Sequence, residues 1–355
     1  MNDPGPWLVR LLEAYSPSGE EADGVAAFGG IARELGYVVR TDPAGNGIAS
    51  KGSGKPLVVY LGHIDTVEGS IPVRIEGRRV FGRGACDAKG PLLAALLAGA
   101  EASGGGEIRV IAAVGEETDS RGARALIPEV RPDFVIGGEP SGWEGLAIGY
   151  KGDLRVLVTF QGSGSHLSSP SPSTTERALA WLDRARAPPV DGGGSFGVLT
   201  SKVVSIRTTG VGGSERVDVV LDLRLPPGVS TSMARSALPA LTEEDSIQVL
   251  VEVEPFLSER TDPVVRALTS GIRAAGGRPT YLKKGGTSDL NLAAPLWGKG
   301  GAAYGPGDSH LDHTDLESLD LDELERAVRV LRHAFQELGR SAASFTPRPS
   351  GPGGG

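Results

Sequence analysis

The residues able to do chemistry are few, and their places relative to apolar runs say what that chemistry could be. His63 stands two positions past Leu57-Val-Val-Tyr-Leu61, in Leu61-Gly-His-Ile-Asp-Thr66. An imidazole there can bind a metal. Asp65, two residues on, can accept a hydrogen bond from the other ring nitrogen, which fixes the tautomer and makes the ring a better ligand. Taken alone, a His-x-Asp pair is weak evidence for a metal. Asp87 lies in Gly82-Arg-Gly-Ala-Cys-Asp-Ala-Lys-Gly-Pro91, a glycine turn running into a helix, where it is either a helix cap or a ligand. Glu116 and Glu117 follow the run Ile108–Val114; such neighbours need a cation or a shared proton if withdrawn from water, and neither if solvated. Glu139 follows Phe134-Val-Ile136 in the same way. His313 sits in Gly305-Pro-Gly-Asp-Ser-His-Leu-Asp-His-Thr-Asp-Leu-Glu317, with His310 as its rival.

The elements that must position these groups give the set its meaning. Short continuous apolar runs such as Leu57–Leu61 read as strands buried on both faces of a sheet. In a parallel sheet the carboxyl ends of strands and the starts of helices share one edge, where ligands bind. Two histidines and three carboxylates, with one carboxylate to spare and no thiolate, suit zinc or cobalt. That count fits two metals sharing a bridging group, a pair that activates water and polarises a carbonyl.

Alternating strand and helix patterns predict an α/β fold with a mostly parallel sheet covered on both faces. Residues 6–40 read as helical with a break at Pro17-Ser-Gly-Glu20, and Pro91–Ala102 as a helix. From Lys151 the pattern changes. Strand Leu154–Phe160, helix Thr175–Arg186, strands Leu199–Thr208 and Arg216–Leu225, helix Ser232–Leu241 and strand Ile247–Val253 give a β-α-β-β-α-β order, the ferredoxin-like α+β arrangement. Regular patterns resume at Pro263–Ala275 and Leu316–Leu338. The expected organisation is a catalytic domain over 1–150 and 258–340, an inserted module over 151–257, and a Pro/Gly-rich tail over 341–355 that cannot pack.

Composition excludes several classes. A chain of 355 residues with 39% hydrophobic content can build two domains. No apolar run approaches the roughly 20 residues of a membrane span, and the first residues lack the regions of a secretion signal. The single cysteine, Cys86, cannot form an internal disulfide, which fits a cytoplasmic protein. A net charge of −8 without a basic block argues against nucleic acid. Gly52-Ser-Gly-Lys55 lacks the earlier glycine of a P-loop, and Gly192-x-Gly194-x-x-Gly197 precedes a strand rather than a helix, which argues against nucleotides.

In motif order and spacing, from about residue 5 to 340, the chain resembles the dinuclear-zinc aminoacylase/carboxypeptidase family, which includes acetylornithine deacetylase and succinyl-diaminopimelate desuccinylase. The resemblance implies two zinc ions per subunit, with cobalt as a substitute. It makes His63, Asp87, Glu117, Glu139 and His313 the ligands, with Asp87 bridging. Asp65 becomes the group that orients His63, and Glu116 the general base. The spacing His313-x-x-x-Glu317 matches the family motif and favours His313 over His310. In the module, His166 matches a histidine that steadies the oxyanion, often from the partner subunit of a homodimer. Arg224 matches a substrate-carboxylate arginine, and Gly286, Thr287 and Ser288 a substrate-lining turn. The segments Gly149-Tyr-Lys-Gly152 and Tyr304-Gly-Pro-Gly-Asp-Ser309 look most like members that release lysine, or ornithine, from the C-terminal glutamate side chain of a small acidic amino-group carrier protein. A deacylase of small N-acyl amino acids or a dipeptidase is the alternative.

Overall fold

The computed structural model describes residues 3–163, 170–186, 195–211 and 213–341. They divide into two compact units. Among the described residues, one comprises residues 3–148, 258–282 and 288–341, and the other those of 149–257 and 283–287.

The first unit is built on a mixed sheet. Its strands lie in the order Val38–Thr41, Gly47–Ser53, Gly106–Ala113, Leu57–His63, Phe134–Gly138, Ala302–Ala303 and Gly145–Tyr150. The centre is parallel: Leu57–His63 pairs in parallel with both Gly106–Ala113 and Phe134–Gly138, which in turn pairs with Ala302–Ala303. The outer pairings are antiparallel. Leu57–His63 is buried along its whole length, as a central strand covered on both faces must be. The helix Lys89–Glu101 is buried from Lys89 to Gly99, so its Ala/Leu composition has no polar face to preserve. It packs on these central strands and against the amphipathic helix Leu321–Ser341, whose Leu324, Val328, Leu331 and Phe335 join the core. Each such fully buried side chain contributes about 1.5–3 kcal/mol of transfer free energy. The helix Pro263–Ala274 packs on the same long helix; it starts at Asp262, whose carboxylate accepts from the Val264 and Val265 N–H groups at 2.8 and 3.3 Å.

The second unit is a four-stranded antiparallel sheet in the order Thr200–Val211, Ser214–Leu225, Gly152–Ser163 and Ser246–Val253. Helices Thr174–Ala185 and Thr231–Ser236 complete the β-α-β-β-α-β chain order. The first and third strands of that order are central and adjacent, which is the ferredoxin-like topology. Alternation sets the register: Val217, Val219, Leu221 and Leu223 face a core with Leu154, Val156, Val158 and Trp181.

One local expectation is corrected. The helical reading of residues 6–40 holds for Gly5–Glu13 and Ala22–Glu34, but Gly36, at φ 81°, ends the helical path and Val38–Thr41 is an edge strand. Its partner Gly47–Ser53 carries little apolar signal because its far end is exposed. Within the regular stretch Leu316–Leu338, Ser318–Asp320 is held as a strand against Arg79–Phe81 and the last helix begins at Leu321. No helix among the described residues is long and apolar enough to cross a membrane.

Candidate metal centre

Three of the parallel strands end together. His63 aligns with Ala113, and Gly62 with Gly138, so His63, the Glu116-Glu117 turn and Glu139 emerge along one edge of the sheet. Gly138 is required for this alignment. A Cβ there would stand 2.6 Å from Tyr60 Cε1 and 2.7 Å from Gly62 Cα. Asp87 joins them from the turn ahead of helix Lys89–Glu101, and His313 from the loop ahead of Ser318. The Asp87–Ala88 peptide bond is cis.

Asp87 is the centre of the cluster. Its Oδ1 lies 3.1 Å from His63 Nε2, and its Oδ2 lies 3.2 Å from His313 Nε2, which is also 2.9 Å from Glu117 Oε1. Ligand atoms of His63, Asp87 and Glu139 lie within 4.8 Å of one another, as do those of Asp87, Glu117 and His313. His313, not His310, is the histidine brought here; His310 is exposed.

The donor set can be tested for a cation on the hydrogen bonding of His63. Its Nδ1 lies 2.9 Å from the main-chain carbonyl oxygen of Asp65, which can only accept, so Nδ1 carries the proton. A neutral ring then aims the lone pair of Nε2 at a carboxylate oxygen 3.1 Å away. That contact is repulsive unless a proton or a metal ion stands between them. The same holds for His313, whose one nitrogen faces two carboxylates. With nitrogen and oxygen donors and no thiolate, the residues fit a pair of divalent ions.

In the metal-free cluster the titratable groups respond as this arrangement dictates. Burial favours neutral His63, but the hydrogen bond its ring donates to Asp87 and the charges of Glu116, Asp87 and Glu139 overcome it and raise its pKa well above the usual value. The hydrogen bonds to Asp87 and Glu117 raise His313 to about 10. Burial pushes Glu116 well above the carboxylate range; the nearby charges of Glu139, Asp289 and Glu117 add to this while His63 opposes it.

Asp65 is placed differently from the expectation. His63 is oriented by its carbonyl oxygen, while its carboxylate oxygen is 3.7 Å from His63 Nδ1. That carboxylate instead accepts the N–H groups of Glu116 and Glu117, each at 3.1 Å, and the Ser18 hydroxyl at 2.7 Å. One residue therefore fixes both the imidazole and the turn that carries the two glutamates.

The sequence reading gave no task to Arg83, named no role for Glu317 beyond its spacing, placed Asp289 only at the end of the substrate-lining turn, and missed Ser18. Glu317 is buried and accepts the N–H groups of Cys86 and Asp87 at 3.2 and 3.1 Å. Arg83 pairs with it at 3.0 Å. Asp289, at the start of helix Asp289–Trp297, is held up at about 6 by burial. Arg83 and Glu317 lie inside motifs already noticed, but burial of their charges is a tertiary fact.

Of the substrate residues, His166 lies outside the described residues. Arg224 belongs to the second unit, where its Nε lies 3.0 Å from Asp222 and its Nη2 3.3 Å from Asp153. The forked edge that would grip a substrate carboxylate is thus turned onto two carboxylates of its own sheet. Gly286 and Thr287 fall in the second unit, and Ser288 precedes helix Asp289–Trp297 in the first.

A parallel-centred α/β sheet whose edge holds one carboxylate between two imidazoles, with a half-buried glutamate close by, defines the class as a metal-dependent hydrolase. Comparison with known proteins agrees. The model of Peptidase family M20/M25/M40 matches residues 59–337. The chain is 39% identical over 349 residues to the LysW-lysine hydrolase of Deinococcus radiodurans, covering 93% of this chain and 96% of that protein. It is 38% identical over 334 residues to a putative LysW-lysine/LysW-ornithine hydrolase of Pyrococcus horikoshii, covering 94% and 96%. The crystal structure of a tripeptidase from Staphylococcus aureus shares the fold with a TM-score of 0.79 at 18% identity, covering 95% of this chain and 98% of that one. The chain belongs to peptidase family M20/M25/M40, and it is a metal-dependent hydrolase of amide bonds.

Proposed function

We propose that this chain is a cytoplasmic enzyme that releases lysine, or ornithine, from the side chain of the C-terminal glutamate of an amino-group carrier protein, as a step in lysine or arginine biosynthesis. The hydrolytic chemistry is carried by one observation, the Asp87 carboxylate set between two imidazoles with half-buried Glu116 nearby. The substrate is supported by relatives named for LysW-lysine that align over nearly the whole chain.

His63, Asp87 and Glu139 would hold one zinc ion, and Asp87, Glu117 and His313 the other. When bound, the pair would supply Lewis acidity to the amide carbonyl and to water. Glu116 accepts the proton of the attacking water and hands it to the leaving amine. Asp65 keeps Glu116 and Glu117 at their station through their N–H groups. His166 stabilises the negative charge that develops on the amide oxygen. Arg224, with the Gly286-Thr287-Ser288 turn, receives the α-carboxylate of the leaving amino acid, exchanging part of its grip on Asp222 and Asp153. Residues 151–257 serve as lid and dimerisation module; the edge strand Thr200–Val211, which exposes Val204 and Ile206, is the pairing surface of a homodimer.

The test is a coupled assay of released amino acid from carrier-linked lysine, carrier-linked ornithine and N-acetylornithine, with enzyme stripped of metal and reloaded with zinc or cobalt. Carrier-linked substrates are expected to give the higher kcat/KM, chelation to abolish turnover, and either metal to restore it. A higher kcat/KM for N-acetylornithine would replace the carrier reading with that of a small-substrate deacylase. Full activity in verified metal-free enzyme would overturn the chemistry itself.

A further inference from the structure

We propose that the buried Arg83–Glu317 ion pair is a positioning clamp that ties the turn of Asp87 to the loop of His313 and so presets the gap in which metal binds. Neither residue belongs to the ligand groups; both act through the residues beside them.

Glu317 Oε1 accepts the N–H of Cys86 at 3.2 Å and of Asp87 at 3.1 Å, while Oε2 meets Arg83 Nη1 at 3.0 Å. The same Nη1 donates to the carbonyl of Thr314 at 3.0 Å, and Arg83 Nε donates to the carbonyl of Gly69 at 2.9 Å. The main chain is stitched too, with the Gly82 N–H donating to the Glu317 carbonyl at 3.2 Å. Every one of these contacts, save that to Gly69, joins the segment 82–87 to the segment 314–317. His63, by contrast, rides on a sheet strand and needs no such device.

Two features give the clamp a task. His313 has φ 63°, a left-handed conformation that a residue with a Cβ adopts only where its surroundings hold it, and the next residue is the one Arg83 grips. The N–H groups of Cys86 and Asp87 point at a buried position, where they require an acceptor. An apolar pair could fill the same volume without the cost of desolvating two charges, but it could not accept those N–H groups or fix the Thr314 carbonyl. Asp87 and His313 approach each other from sequence positions more than two hundred residues apart, so their spacing depends on this contact.

The inference rests on the reading of Asp87 and His313 as metal ligands, and the experiment separates the two. Zinc affinity and stoichiometry are measured by competition with a chromophoric chelator for wild type, Glu317→Gln and Arg83→Lys, alongside thermal unfolding of the metal-free proteins. Wild type is expected to bind two zinc ions. Glu317→Gln should weaken zinc binding by about 10–100-fold, the range seen when partners of metal ligands are lost. Arg83→Lys, which keeps the charge but loses the fork, should weaken it less, and excess zinc should restore kcat in both with KM unchanged. A merely structural pair would lower the unfolding temperature and leave the zinc affinity of folded protein unaltered. Unchanged affinity in either folded variant would overturn the clamp; Arg83→Lys carries the test if Glu317→Gln does not fold. Failure of wild type to bind zinc would instead overturn the ligand assignment.

Discussion

Glu116 is the residue on which the reaction turns. Burial, first of all, and then the charges of Glu139, Asp289 and Glu117 make its carboxylate reluctant to stay ionised in the metal-free cluster, while His63 works the other way. Such a group is a ready proton acceptor when water is activated next to it. It lies in neither ligand group, although its neighbour Glu117 does. Glu116→Gln is therefore expected to retain its metal content and lose about 10²–10⁴-fold in kcat, because a carboxamide cannot take the proton. Elemental analysis beside steady-state kinetics checks this; loss of metal together with activity would make Glu116 a ligand instead. Asp65 belongs to the same scale, since its carboxylate holds the Glu116 and Glu117 N–H groups and its carbonyl the His63 ring.

Among the elements, the parallel trio of strands decides where the ligands emerge. Close approach of Phe134–Gly138 to Leu57–His63 depends on Gly62 and Gly138 facing each other without side chains. Gly138→Ala would force its methyl into Tyr60 and the Gly62 backbone, and an overpacked core site of this kind costs about 1–3 kcal/mol. Urea unfolding should show the lowered midpoint. Because Glu139 is the next residue, zinc affinity should fall as well. Gly197→Ala, where an added methyl meets nothing, should leave both unchanged. A wild-type midpoint in Gly138→Ala would mean that the strands can part without harm.

At the scale of the whole molecule, the chain carries its ligand groups in one compact unit and its ferredoxin-like sheet in another. If the second unit pairs two subunits and His166 serves the neighbouring site, mixing His166→Ala chains with Glu116→Gln chains should recover activity that neither variant has alone. One site of each mixed dimer would then hold both wild-type groups. Light scattering should report a dimer. No recovery despite proven subunit exchange would place His166 in the site of its own chain.

What the sequence determined by itself was the chemistry of the strand ends. Apolar runs that stop at His63, before Glu116-Glu117 and before Glu139 declare buried strands with polar tips, because periodicity and composition are local properties. The β-α-β-β-α-β order was legible for the same reason. Only the tertiary structure decided the rest. The two-residue strand Ala302–Ala303 exists because Gly137 and Ala147 flank it, not because of its own residues. Val38–Thr41 became a strand through its antiparallel partner Gly47–Ser53. Whether Asp65 reaches His63 by carboxylate or carbonyl, and whether Arg224 stands free or meets Asp222 and Asp153, depends on which acceptors the fold brings within about 3 Å, the range of a hydrogen bond. Burial of a charge such as Glu317 follows from the packing of distant segments, and no local pattern encodes it.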